Sequence, residues 1–470
     1  MVGWYARVMA VVALFLAACS GPGRTGAESA GAGASAERDA LVARIDSILS
    51  APITAGQLAG ASIAVVRGSD TIAVQSFGSA NLELGVPTPP RAVYEIGSVT
   101  KQFTAAAILQ LVEQGKIDLD ADVRTYLLDY DTRGRTIPVR RLLDHTSGIK
   151  GYTEIPEFGE IMVHDLPRDS LVRTFSRKPF DFEPGEEQIY NNSAFFLLGL
   201  IIEKVSGVPY EQYVKANLFD RAGMADSHYC SETEIQKNKV AGYDTDSTRL
   251  VHKGYLDHTW PYAAGSLCAS AIDLVAWNQA LHGGRILGPE AWRSMITPDT
   301  LNDGTRLGYG KGIAVFDQIG RRAFHHGGGI NGFLSQNLYF PDDSLSVVVL
   351  YNTAGPANPG EAAEAIALAV LGPAPERAPP PAGDISPYTG TFTGRGRGRP
   401  TELAFSSAGD TLKVRGAEPG DSVVALERVG ENVFAQRYTR FIFLGEPGEP
   451  GAVNAVRVDR GYGNNLLRRK

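Results

Sequence analysis

Strand patterns bracket a long helical stretch in this chain, and that arrangement excludes most folds. Residues 61–66 (Ala-Ser-Ile-Ala-Val-Val) and 71–78 flank Arg67-Gly68-Ser69-Asp70, two apolar runs joined by a Gly/Asp turn, which predicts a β-hairpin. Far downstream, the segment holding His326 and residues 333–340 and 345–352 read as three more strands, the last two joined by Pro341-Asp342-Asp343. Between hairpin and triplet, apolar residues recur at helical spacing over 102–114, 194–205, 210–218 and 271–281; residues 37–50 and 361–371 add a helix before and after. Helices and strands do not alternate one for one, which argues against a doubly wound parallel sheet. The expectation is α+β: a mainly antiparallel sheet, closed by both ends of the region and flanked by helices.

Ser98-Val99-Thr100-Lys101 opens the first of the inner helices. A serine one turn before a lysine shares its helix face, with Cβ atoms about 5–6 Å apart. The helix N-terminus also favours developing negative charge. Hydroxyl, amine and backbone N–H donors are the parts an activated serine nucleophile needs. Taken alone, the pair reads more readily as a cap and a solvated lysine. Two more polar constellations stand at element junctions: Tyr190-Asn191-Asn192 before the helix at 194–205, and His326-Gly327-Gly328 in the first late strand.

In that order and spacing, the three constellations resemble the serine β-lactamase and penicillin-binding-protein superfamily. The similar branch holds class C β-lactamases, D-alanyl-D-alanine carboxypeptidases, D-aminopeptidases and certain esterases. The resemblance runs from about residue 41 to residue 371. It implies an all-helical subdomain beside the antiparallel sheet, no cofactor and no metal, and an acyl-enzyme on Ser98. Lys101 takes part in moving the Ser98 proton, Tyr190 serves as or assists the general base, and Asn192 orients Lys101 and the substrate amide. His326 and Gly328 would line the substrate, Gly328 by letting its backbone lie against the strand. The N–H groups of Ser98 and Gly329 would form the oxyanion hole. The expected partner is a small acyl or peptide substrate: an ester, a D-amino-acid amide or peptide, or a β-lactam. A sensor or binding lipoprotein using the same cleft without turnover is the alternative reading.

Two departures bear on the substrate. His326 replaces the lysine common at that place and Gly327 replaces a hydroxyl residue. A neutral imidazole and a glycine bind a carboxylate poorly, which argues against efficient β-lactam hydrolysis and strict D-Ala-D-Ala specificity. His145, in the polar cluster before Gly148, reads as part of a helix-stop turn. Residues 149–187, rich in charge, Phe and Pro, are placed as a possible cleft lining. There is no Gly-x-Ser-x-Gly elbow and no His-Glu-x-x-His zinc motif.

The ends of the chain carry different signals. Arg7 precedes an apolar run at 8–18, too short to span a membrane stably, that closes Leu16-Ala17-Ala18-Cys19. This resembles a bacterial lipoprotein signal over 1–18, with Cys19 lipidated. It implies export to the cell envelope and a membrane contact through the lipid, in the outer membrane facing the periplasm. Residues 19–36 read as a flexible Gly/Ala/Ser tether, and 37–372 as the hydrolase domain. Residues 373–384 are a Pro-rich linker, and 385–470 a small all-β domain of barrel or sandwich type. Apart from Cys19 the cysteines are Cys230 and Cys268, for which a disulfide and two buried thiols both stand open. A net charge of −7 offers no broad basic surface for nucleic acid. Oligomeric state is not legible.

Overall fold

A computed structural model describes residues 25–246, 248–373, 383–396, 399–417, 422–445 and 453–470. Its largest sheet within the first 370 residues has six antiparallel strands. Their order is Phe324–Ile330, Phe333–Phe340, Leu345–Tyr351, Gly60–Arg67, Asp70–Asn81 and Val86–Pro87. The early hairpin therefore docks its first strand on the last of the late strands, with Ile63 opposite Val349. Both central strands are buried along nearly their whole length. Their period of two sorts the side chains between two cores. Ile63, Val65, Val347 and Val349 face a core completed by Ile45 and Leu49 of the opening helix and by Ile366 of the closing helix, Pro359–Leu371. Ala64, Val348 and Leu350 face the larger core, which holds Phe103, Phe195 and Trp277 from the inner helices. The mixed α+β architecture read from the strand pattern is the one observed.

Some boundaries differ. The opening helix runs Thr25–Thr54, so it takes in two thirds of the segment 19–36 expected as a flexible tether. The alanines at 27, 30, 32, 34 and 36 are strong helix formers and extend it. Residues 149–187 hold only short helices, Phe158–Ile161 and Arg168–Ser176, and pack inward through Tyr152 and Phe175. Cys230 and Cys268 form a disulfide, with Cα atoms 5.3 Å apart, which resolves the question the sequence left open.

Beyond residue 384, nine consecutive strands among the described residues, from Gly390–Gly396 to Gly463–Arg469, wind into a near-closed antiparallel barrel. Alternate side chains, among them Phe392, Phe405, Phe441, Phe443 and Val456, fill its interior. The last barrel strand also pairs with the two-residue strand Gln188–Ile189, Gly463 opposite Ile189 and Asn464 opposite Gln188. Arg457 of the barrel forms an ion pair with Asp303 of the larger body. The barrel is stitched to the main body immediately before Tyr190.

Candidate active site

Ser98 lies in a single 3₁₀ turn, Gly97–Val99, that runs straight into the helix Thr100–Glu113. Gly97 has φ +50°, and a Cβ there would stand 3.0 Å from the Gly329 amide nitrogen. The nucleophile turn and the glycine strand thus meet backbone to backbone, as only glycine permits. The helix is buried over almost all of its length and carries Lys101 inside at 0% exposure. Lys101 Nζ reaches Asn192 Oδ1 and Ala264 O at 2.8 Å each, and Ser98 Oγ at 3.2 Å. It stands 4.7 Å from the centre of the Tyr190 ring and 5.4 Å from that of Phe195. Removal from solvent disfavours the ammonium, so burial pushes Lys101 well below the usual lysine range, with Glu154 opposing the shift.

Tyr190 follows the strand Gln188–Ile189 and precedes Asn191, the N-cap of the helix Asn192–Ser206. The Asn191 side chain accepts the Ala194 N–H at 2.8 Å, which satisfies a helix-end donor. The Tyr190 ring packs among His145 (centroids 4.4 Å apart), Tyr462 (6.0 Å) and His326 (6.1 Å). His145 is fully buried with φ +65°, a conformation rare outside glycine, and its Nδ1 accepts the Asn191 N–H at 3.1 Å. Burial first, then Lys101 and His326, push its pKa far down, so the ring is a neutral floor under Tyr190. The helix-stop reading captured its turn and missed its packing. A second left-handed residue, Tyr262 at φ +40°, begins the short helix Tyr262–Gly265 from which the Ala264 carbonyl meets Lys101. Neither residue carried a local signal for these contacts.

Buried contacts fix both His326 and Gly328 on the strand wall. His326 is buried, with Nδ1 2.6 Å from the Gly327 carbonyl and Nε2 2.9 Å from the Tyr309 hydroxyl. Burial, reinforced by Lys101, pushes its pKa down to about 3. A neutral ring with Nδ1–H donating to Gly327 O and Nε2 accepting from Tyr309 uses both nitrogens, so His326 shapes the wall and offers no cation. Gly328 packs directly against the nucleophile turn. A Cβ there would fall 2.0 Å from the Ile96 carbonyl oxygen and 2.3 Å from Ser335 Oγ, so the strand must be bare to slide under the nucleophile turn.

Gly327 donates its N–H to the Tyr462 hydroxyl at 3.3 Å, on the edge of the strand away from Phe333–Phe340. By the same period of two, the N–H of exposed Gly329 faces that edge beside Ser98. A cavity of about 510 Å³ opens over Ser98, Tyr190, His326 and Gly327, and its far side is formed by Arg437, Tyr438, Arg460 and Tyr462 of the barrel. Among the described residues, none from 149–187 lines it. Ser98, Lys101, Tyr190, Asn192, His326, Gly328 and Gly329 converge around one cleft; Cys19 lies outside the described residues. Elsewhere, Glu95, Glu232 and His258 converge, but Lys253 already meets Glu95 at 2.7 Å.

Known proteins are similar to this chain in sequence and fold. The beta-lactamase family matches residues 45–371. The D-aminopeptidase of Gluconobacter oxydans (strain 621H) is 26% identical over 322 residues, 67% of this chain and 59% of that one. The octameric penicillin-binding protein homologue from Pyrococcus abyssi has the same fold, with TM-score 0.63 and 27% identity over 91% of this chain and 100% of that one. A D-stereospecific amidohydrolase from Streptomyces sp. gives TM-score 0.61 and 27% identity over 71% of this chain and 99% of that one.

Proposed function

The chain belongs to the beta-lactamase family, and from that premise we propose that it is a serine hydrolase working through an acyl-enzyme on Ser98. The observation that carries the proposal is the surroundings of Lys101 Nζ. A neutral amine has two N–H donors and one lone pair. Asn192 Oδ1 and the Ala264 carbonyl take the two donors, which leaves the lone pair toward Ser98 Oγ. Burial drives Lys101 toward that neutral form. Ser98 Oγ attacks the substrate carbonyl while its proton passes to Lys101, and the N–H groups of Ser98 and Gly329 hold the oxyanion. The bond to the leaving group then breaks, and the proton reaches the leaving atom through Tyr190. Water hydrolyses the acyl-enzyme by the reverse relay.

Esters and D-amino-acid amides or short peptides are the substrates favoured, in keeping with a D-aminopeptidase and a D-stereospecific amidohydrolase among its relatives. With His326 neutral and Gly327 lacking a hydroxyl, the strand wall gives a β-lactam carboxylate no charge to pair with. The apolar run before Cys19 and the Cys230–Cys268 disulfide support export and lipid anchoring in the cell envelope. Mass spectrometry after p-nitrophenyl acetate tests the reaction: an acetyl adduct on Ser98 that decays with turnover is expected. A folded protein with unmodified Ser98 overturns it, and an adduct that never decays makes the chain an envelope sensor instead.

A further inference from the structure

The cavity over Ser98 is shared between the catalytic body and the barrel, and one barrel residue reaches the strand that substrate must follow. Tyr462 lies in the turn between the last two barrel strands, after Gly461, whose φ of +74° makes the turn tight. A Cβ on Gly461 would come within 2.3 Å of the Phe316 ring, so the turn is pressed onto the catalytic body. From there the Tyr462 hydroxyl accepts the Gly327 N–H at 3.3 Å and stands 3.2 Å from His325 Nδ1. It thus occupies the outward-facing donor that lies two residues before Gly329 on the edge strand. A peptide extending along that edge would need the same donor to continue its ladder.

The position of Tyr190 tells which side of the scissile bond is affected. Its ring stands 6.0 Å from Tyr462 and 6.1 Å from His326. Tyr190 is the group that hands a proton to the leaving atom, so the leaving group lies on the Tyr462 side of Ser98. Beyond Tyr462 the cavity is walled by Gln336 and Glu364 from one side and by Arg437, Tyr438 and Arg460 from the other. That lining is polar and carries both signs of charge.

We propose that the barrel, through Tyr462, limits this enzyme to substrates with a compact, polar leaving group: a small alcohol, an amine or a single amino acid, in place of an extended chain. This rests on the acyl-enzyme reading above and names the substrate class for it. The enzyme trims short acyl compounds and does not cut within polymers.

The test uses the full chain and acetate esters, since acetyl is the smallest acyl group with a methyl to spare. The leaving groups are p-nitrophenol and 4-hydroxy-3-nitrobenzoyl carrying one, two or three glycines. In the wild type, kcat/KM is expected to fall at least about tenfold from one glycine to three, the scale of a steric pocket limit. Tyr462→Ala brings that fall to within about threefold, and Tyr462→Phe, which frees the Gly327 N–H but keeps the ring, gives an intermediate slope. The same length dependence in the wild type and both variants, or none in the wild type, overturns the proposal. Absence of an acetyl adduct on Ser98 with every ester is a separate result: it removes the acyl-enzyme reading itself.

Discussion

The two walls of the cleft are built on opposite principles. On the helix wall, Ser98 and Lys101 are three residues apart on one rigid, buried element, and Lys101 is held by fixed oxygens of Asn192 and Ala264. On the strand wall, three glycines leave bare backbone, and the polar contacts come from distant segments: Tyr309 to His326, Tyr462 to Gly327. In the proposed mechanism the first wall handles protons and the second decides what fits. A catalytic relay tolerates little positional error, so it is carried by short sequence spacing on a helix. A specificity wall changes with its neighbours and here is borrowed from another domain.

The comparison breaks most readily at Lys101. Lys101→Met keeps the volume but removes the base; acylation of p-nitrophenyl acetate should fall by about 10²–10⁴-fold in the pre-steady-state burst. Because a buried amine is costly to desolvate, the same variant should melt no lower than the wild type by calorimetry. A burst of normal size would detach Lys101 from the chemistry. Tyr190→Phe is expected to lose somewhat less, with its deficit greatest for poor leaving groups such as simple amides, where protonation matters most.

Next in size is Gly328→Ala. The added methyl meets the Ile96 carbonyl, so the strand and the nucleophile turn must part. A stability loss of about 1–3 kcal/mol in urea unfolding is expected, as for other overpacked sites. A larger proportional loss of kcat/KM should accompany it. If Gly328 served only to admit substrate backbone, KM would rise with stability untouched.

Acid probes both walls together. His325 and His326 have pKa values pushed down to about 3 by burial, as does His282 in the core, against ~6.5 in the unfolded chain. The unfolded state then takes up more protons, so this contribution is complete above pH ~6.5 and is lost as pH falls toward 3. At pH 5 each such histidine costs about 2 kcal/mol. Denaturant midpoints should therefore drop steeply between pH 6.5 and 5, and less so in His282→Gln. His326→Ala orphans the buried Tyr309 hydroxyl, at a cost of about 1–3 kcal/mol, comparable to Gly328→Ala. Its charge-independent role predicts no change in the pH profile of kcat.

How much of this was legible follows the same division. The nucleophile helix, the Tyr190-Asn191-Asn192 helix start and the glycine strand each announce themselves within a few residues, because helix spacing, capping and glycine are local properties. The sheet order was readable as a class from strands at both ends of the region. By contrast, the Ala264 carbonyl looks like any other carbonyl in the sequence. The stacking of His145 beneath Tyr190 depends on a left-handed backbone that no pattern advertises. The close contacts of Gly327 and Gly328 with Tyr462, Ile96 and Ser335 were not legible either, because the fold alone brings those neighbours onto the strand.

Local chemistry thus determined from sequence alone that this chain places a serine one turn before a lysine and carries an α+β scaffold to hold them. Only the tertiary structure decided the burial of Lys101, the partners of His326 and the entry of the barrel into the cleft. Burial, pairing and the meeting of residues more than a hundred positions apart are consequences of packing, and packing is not written in any one stretch of the chain.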